Sequence, residues 1–449
     1  MTTETQSQDF DAGPLFRLPW TQADNAMTWL EPTRQCNITC DACFAVNDPG
    51  SRKSLPRIQS ELDRMLQLRH CDAMLIAGGE PLTHPRIVEI TRMVKARKVK
   101  PVIVTNGVGL TAGLVRELKS AGAHGFTLHV DSHQARPGWQ GRSEQELNAL
   151  RQHFADLLHD VGGLTCAFNT TIFPDALDDV PHIVRWATAN IDRVHILTLI
   201  AVRMISPEWP FDFYAGSRKV DLDGMAYHSA VDYTKITAAD ILARVRKIIP
   251  DFQLCAYIGG TALPHSPKWT LGCRIGTRGQ TYGNLGPKSM ELLQNVHHFF
   301  RGAYLAYTKP SMNRKARALF LFGLFDPEIR KTFQNYVLAA LKQPALLFRR
   351  LSTQSINILQ PIDILPSGEE DTCDGCPNRT FWRNRLVPAC RLDDYLTYGV
   401  QLKPVPRPKE PATATIDPSS KMVNDRLAAK LKMARQNDTP MNKERGTHG

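Results

Sequence analysis

MTWLEPTRQCNITCDACF, residues 27–44, begins as a short apolar run and ends in three cysteines spaced three and two residues apart. Outward from this stretch, residues 27–200 alternate short apolar or β-branched runs with amphipathic helical stretches. That is the pattern of repeated βα units with parallel strands. Six units can be counted, with strands predicted at 27–31, 73–77, 101–105, 125–130, 164–171 and 193–199. Each run is short, apolar and bounded by polar residues or Gly, as a strand covered on both faces should be. Ile58, Leu62, Met65 and Leu66 make one helical stripe, and Leu147, Leu150, Phe154 and Leu157 another. Ser143 and Glu146 form a capping box ahead of the second, each side chain satisfying a free backbone N–H.

The chain has 449 residues, 42% of them hydrophobic, enough for a main domain with one or two smaller parts. We expect an N-terminal segment at 1–24, the βα region at 25–205, a C-terminal substrate and auxiliary-metal region at 206–400, and a Pro-rich, charged, disordered basic tail at 401–449 with a short helix over 422–434. No apolar run reaches the roughly 18 residues of a membrane span, and the polar, acidic N-terminus is unlike a secretory signal. A cytoplasmic location is therefore expected. In such a chain, ten cysteines with six in two tight clusters point to metal or redox chemistry more than to disulfides. The net charge of +11 suits nucleic acid, anionic lipid or an acidic ligand. Basic residues are not interleaved with aromatics, so no nucleic-acid partner is expected.

Cys36, Cys40 and Cys43 follow the first predicted strand. Three thiolates this close can converge on one inorganic cluster, and a cubane of four irons then keeps one iron open for chemistry. A structural zinc site would need a fourth ligand, and no Cys or His follows closely. Gly78, Gly79 and Glu80 end the second predicted strand. There, glycines let a ligand approach the backbone, and a carboxylate can hold an ammonium group. Ligand sites of βα barrels collect at the C-terminal ends of the strands. Further polar residues stand at such ends: Thr105 and Asn106, His129 and Asp131, Asn169 and Thr170, and Thr198. Their regular placement supports an α/β fold with a partial (βα)6 TIM-like barrel, followed by a helical, cysteine-containing C-terminal extension.

On CNITCDACF and AGGEP, residues 25–205 resemble the radical S-adenosylmethionine (SAM) superfamily. The resemblance implies a 4Fe-4S cluster on Cys36, Cys40 and Cys43, with SAM chelating the open iron and Gly78, Gly79 and Glu80 facing its methionine part. It further implies reductive cleavage of SAM to a 5′-deoxyadenosyl radical that abstracts hydrogen from an unactivated carbon. An electron donor such as flavodoxin or ferredoxin is implied as well. Asn106 and Asn169 are candidates for the SAM ribose or carboxylate. In the family an aromatic residue often precedes the third cysteine; here Ala42 does, and Phe44 follows instead.

Cys373, Cys376 and Cys390 form a second cluster whose spacing suits a zinc ribbon or an iron-sulfur centre, with Cys273 as candidate fourth ligand. The options are an auxiliary iron-sulfur cluster, structural zinc, or no metal. Cys71, Cys166 and Cys255 lie in apolar stretches and read as core. Between residues 314 and 350, apolar runs mix with eight Lys and Arg, either a helical subdomain or a surface for anionic membranes. A looser similarity to radical SAM enzymes acting on lipids points to a lipid or other small-molecule substrate and to peripheral membrane contact. The alternatives are a peptide-modifying radical SAM maturase and a non-catalytic iron-sulfur or zinc protein.

Overall fold

A computed structural model describes residues 12–408 except 207, 224 and 230–235. The chain up to Pro406 is one compact unit; a second begins at Arg407, and of it residues 409–449 lie outside the described residues, with the helix expected at 422–434. Residues 1–11 of the expected N-terminal segment lie outside them too.

The first unit is built on one mixed sheet. After a short strand β1 (Phe16–Arg17) come β2 (Met27–Thr33), β3 (Ala73–Gly78), β4 (Lys100–Thr105), β5 (Gly125–His129), β6 (Thr165–Ile172) and β7 (Ile196–Ala201), side by side and parallel in that order from β2 to β7. All six predicted strands are therefore present. Helices α1 (Leu55–Leu68), α2 (Ile87–Ala96), α3 (Ala112–Ser120), α4 (Asn148–Val161) and α5 (Val180–Ala189) cover one face. α1 buries Ile58, Leu62 and Met65, and α4 buries Leu150, Phe154 and Leu158, leaving Leu157 at its margin. The Ser143–Glu146 box forms, with Ser143 N–H donating to Glu146 Oε2 at 2.9 Å, and starts the turn that leads into α4.

The region after residue 205 is less purely helical than expected. Strands β8 (Phe211–Ala215) and β9 (Arg218–Val220) start a small separate sheet, and α6 (Ala238–Arg246) packs on β7. β10 (Ala256–Ile258), β11 (Trp269–Thr277), β12 (Gln280–Asn284) and β13 (Ser352–Leu359) then join the main sheet, β13 parallel to β7 and β11 antiparallel to β13. Met27 and Trp29 of β2 share one buried cluster with Ala256 of β10 and Cys273 and Ile275 of β11. The sheet thus curls until its two ends face one interior, a partial barrel. Its N-terminal mouth is plugged by residues 304–308: Tyr307 Oη lies 3.0 Å from Thr127 Oγ1, and Lys100 Nζ donates to Tyr307 O at 2.7 Å.

Helices α7 (Pro287–Arg301) and α8 (Pro310–Asn313) precede the basic, apolar region, and α9 (Pro327–Lys342) lies within it. The cysteine-containing end carries the pairs β14 (Asp363–Ile364) with β15 (Glu370–Asp371) and β16 (Arg379–Trp382) with β17 (Arg385–Pro388), then α10 (Leu392–Tyr398) and β18 (Lys403–Pro406), which pairs with β8. The β16–β17 hairpin lies along β2, the last strand of the sheet, where Thr28 Oγ1 donates to Arg379 O at 3.0 Å. Among the described residues no helix is long and apolar enough to cross a membrane.

Candidate active site at the strand ends

The loop carrying Cys36, Cys40 and Cys43 leaves β2 at the C-terminal end of the parallel strands. Asn47 ties its stems: Cys36 N–H donates to Asn47 Oδ1 at 2.9 Å, and Asn47 Nδ2 returns to Cys36 O. Across the mouth, Ala135 N–H donates to Thr39 O at 2.8 Å and Asp41 N–H to His133 O at 3.0 Å. His133 also bridges the carboxylates of Asp41 (2.9 Å) and Asp175 (3.1 Å) and stacks on Phe173. Phe44 turns inward toward Trp29, and Ala42 packs beside Phe173, Val202 and Met204.

All three cysteines are free thiols. Burial pushes the thiols of Cys36 and Cys40 up, and Cys40 is raised further by Asp131 and by the neighbouring thiols. A bound cation reverses that preference by stabilising thiolate, so three tethered thiols that share one charge environment suit an iron-sulfur cluster. Among the described residues, no three His, Cys, Asp or Glu side chains gather closely enough to hold a metal ion. The fit rests on donor chemistry and loop placement.

Gly78 and Gly79 meet the chain's own backbone at close range. A Cβ on Gly78 would lie 2.2 Å from Thr33 O, and one on Gly79 would lie 2.4 Å from Gln35 O. Gly78 also has φ +108°, which glycine adopts without strain. The two glycines therefore let β3 pack against the stem of the cysteine loop, where Gly79 N–H donates to Thr33 O and Glu80 N–H to Gln35 O at 2.8 Å. Glu80 is buried. Its Oε1 accepts from Thr105 Oγ1 (2.7 Å) and Leu82 N–H (3.0 Å), and its Oε2 from Asn106 N–H (2.7 Å). These donors fill three of about four acceptor positions, leaving one on Oε2. Burial raises the Glu80 carboxyl even with these donors.

Asn106 joins the two motifs. Its Nδ2 lies 3.8 Å from Cys36 Sγ and donates to Asn37 Oδ1 at 2.7 Å. Arg136, which sequence reasoning missed, is buried and donates to Asn106 O (2.6 Å), Gln134 Oε1 and His129 O. Its charge acts on Cys40, Asp131 and Glu80 together. No local signal marks it, because an Arg in a polar loop looks solvated.

Asn169 sits in register with His129 on one side and Thr198 on the other, away from the cysteine loop contacts that hold Asn106. His129 Nε2 meets Asp131 Oδ2 at 2.9 Å and Thr171 Oγ1 at 3.2 Å. Although burial opposes it, the His129 contact holds the Asp131 carboxyl below its usual range. Thr171, rather than the expected Thr170, stands on the interior side. Thr170 turns to the helix face, where its hydroxyl donates to Val130 O and receives Arg151 of α4, because successive strand residues point to opposite faces.

At the second cluster, the thiols of Cys373 and Cys376 hydrogen-bond each other, and Cys390 feels the charge of Cys376. The Cys373 S–H, with Arg379 and Arg69, lowers Cys376 to about 6. Asn25 Nδ2 donates to Gly375 O at 3.1 Å and Arg69 Nη1 to Cys376 O at 3.1 Å, clasping the turn. Cys273 is placed elsewhere. It lies opposite Ser355 in the middle of the sheet and beside buried Cys255, because β11 is an internal strand and not a polar loop. Just past Cys390, Asp393 of α10 pairs with Arg34 and accepts from Val46 N–H at 2.9 Å, so it touches both flanks of the first cysteine loop.

Residues 30–187 match the model of the Radical SAM superfamily. An AdoMet-dependent heme synthase of Methanosarcina barkeri is 28% identical over 118 residues, 26% of this chain and 33% of that protein. A GTP 3′,8-cyclase of Chlorobaculum tepidum is 35% identical over 188 residues, 40% of this chain and 52% of that protein. A PqqA peptide cyclase of Methylobacterium nodulans is 29% identical over 176 residues, 37% of this chain and 44% of that protein. The chain thus spans from a third to about half the length of these relatives. Streptococcus suis SuiB, solved bound to S-adenosylmethionine, aligns with a TM-score of 0.37 at 16% identity, covering 51% of this chain and 48% of that one.

Proposed function

From the premise that this chain belongs to the radical SAM superfamily through the domain at residues 30–187, we propose that it is an enzyme that cleaves SAM reductively and removes a hydrogen atom from an unactivated carbon of an organic substrate. The family uses a 4Fe-4S cluster and SAM. Here Cys36, Cys40 and Cys43 would hold the cluster. When bound, the cluster supplies one electron for breaking the S–C5′ bond of SAM, and the adenosyl fragment takes hydrogen from the substrate.

The observation that supports this reading is the double attachment of Asn106, through its amide to Cys36 Sγ and through its backbone N–H to Glu80. It ties the thiol loop and the Gly-Gly-Glu turn at one mouth. Glu80 keeps one acceptor position for a ligand ammonium, and Asn169 offers its amide to ribose or carboxylate oxygens. The Asn106 amide, also a candidate for that contact, is engaged by Cys36, Asn37 and Val108 and serves to position the loop. Arg136 holds the loop ends and supplies buried positive charge beside Cys40.

His129, Asn169, Thr171 and Thr198 make the lining polar and so favour a substrate with hydrogen-bonding groups over a bare lipid chain. A peptide is the second reading, favoured by the PqqA peptide cyclase among the relatives. Cys373, Cys376 and Cys390 would hold an auxiliary iron-sulfur cluster, with the lowered Cys376 already disposed toward thiolate. A flavodoxin or ferredoxin would deliver electrons.

The test is anaerobic reconstitution with iron and sulfide, then SAM and dithionite, and an assay for 5′-deoxyadenosine beside a variant with Cys36, Cys40 and Cys43 changed to Ala. Product from the unmodified protein alone supports the reading. A loaded protein that neither makes product nor binds SAM overturns it.

A further inference from the structure

We propose that the ridge formed by the 310 segment Ala316–Leu324, α9 and the 310 turn Pro344–Leu347 is a docking face for an anionic phospholipid membrane. The three pieces are pinned together. Arg317 Nη2 donates to Arg349 O at 2.7 Å, Arg330 Nε donates to Gly323 O at 3.0 Å, and Phe320 packs on Phe333 and Tyr336 beneath. On this rigid base the apolar tips point outward. Leu324 and Phe348 are 88% and 89% exposed, and Leu321 and Leu341 are 73% and 74% exposed. Large apolar side chains this exposed and this close in one substructure mark an interaction surface.

The charge around these tips selects the partner. Residues 314–350 carry eight Lys and Arg against two acids, Asp326 and Glu328. Asp326 is fully buried, where it caps α9 through Glu328 N–H and Ile329 N–H, so it neutralises nothing at the surface. Among the described residues, none of the eight cations forms an ion pair; Arg317 and Arg330 spend their donors on backbone carbonyls. Leu and Phe tips rimmed by unpaired Lys and Arg match the boundary between headgroups and acyl chains, where apolar insertion and attraction to anionic lipid add. A second copy of the chain would set the eight cations against themselves. A nucleic acid would use the cations and leave the apolar tips in water.

The experiment is flotation of the full chain with vesicles of phosphatidylcholine alone or containing phosphatidylglycerol. We expect recovery with the phosphatidylglycerol vesicles only, falling as salt is raised. Leu324→Ser with Phe348→Ser should weaken partition about tenfold or more. Lys342→Gln with Arg349→Gln and Arg350→Gln should abolish the preference for anionic vesicles. These side chains are exposed, so unchanged thermal unfolding of both variants separates loss of docking from loss of fold. The proposal is overturned if the protein does not float with phosphatidylglycerol vesicles, or if the Leu324→Ser, Phe348→Ser variant floats as well as the unmodified protein. It is equally overturned if these two residues instead support a dimer that does not float.

Discussion

Asp393 and Arg34 form a nearly buried ion pair that joins the helix following Cys390 to the strand end preceding Cys36. The other carboxylate oxygen of Asp393 accepts from Val46 N–H, beyond the last cysteine of the loop. One side chain from the C-terminal cysteine segment thus closes the frame of the N-terminal loop. Removing Asp393 leaves Arg34 only its longer contact with buried Glu31, at 3.6 Å, and losing one partner from a buried charge cluster costs about 3 kcal/mol. We predict that Asp393→Ala lowers stability by that order and loosens the loop. In anaerobic preparations it should lose iron from the first site even though Cys36, Cys40 and Cys43 are intact. Normal iron loading and an unchanged unfolding midpoint would show that the clamp is dispensable.

Glu80 gives a sharper expectation because both of its oxygens receive donors. In Glu80→Gln one oxygen becomes an NH2 group, and whichever way the amide turns it faces an N–H or a hydroxyl that had been donating. A buried donor facing a donor costs about 1–3 kcal/mol. The isosteric change should therefore be nearly as damaging as Glu80→Ala in thermal stability and in 5′-deoxyadenosine formation. Near-normal behaviour of Glu80→Gln would mean that the internal hydrogen bonds do not set the position of Asn106.

The parts legible in the sequence are those whose cause is local. β2 to β7 are buried on both faces, so each appears as a short apolar run, and the two cysteine clusters announce themselves by spacing. β11 and β13 escape notice because their helix-facing positions include fully buried Arg274 and Gln354, which bond to each other at 2.9 Å and to backbone carbonyls of and beyond α5, and which look like surface residues in isolation. The sequence places Cys273 with the second cluster for a similar reason, since a Gly beside it suggests a loop. In fact Gly272 leaves room for the ring of Phe252, which a Cβ would approach to 2.2 Å. Asp393 and Arg34 are 359 positions apart, and no periodicity links them.

Gly79 tests whether the Gly-Gly-Glu turn serves the loop or the ligand. Its missing Cβ is replaced by Gln35 O and Arg34 O, both backbone atoms that cannot swing away. Gly79→Ala must displace the stem of the cysteine loop, a backbone shift of the kind that costs about 1–3 kcal/mol. The expected result is reduced iron content in the first site before any SAM is added. Full iron content with weakened SAM binding would instead assign the glycine to ligand approach.

His195 sets a pH dependence that can be read without cofactors. Its Nδ1 accepts from Cys166 N–H at 3.0 Å, holding the start of β7 to β6, and that lone pair must stay free for the bond to persist. Burial, with Arg314 adding to it, lowers its pKa to about 4, whereas in the unfolded chain it titrates near about 6.5. As pH falls, the unfolded chain therefore takes the proton first. The stability from neutral His195 is fully present above about pH 6.5 and is lost as pH drops toward about 4, at roughly 1.4 kcal/mol per pH unit. Between pH 7 and pH 5 the unmodified protein should lose about 2 kcal/mol more than His195→Gln, whose side chain does not titrate. Denaturant midpoints at the two pH values measure the difference. Equal losses in the two proteins would mean that His195 is protonated in the folded chain at little cost, and that β6 and β7 do not depend on its acceptor.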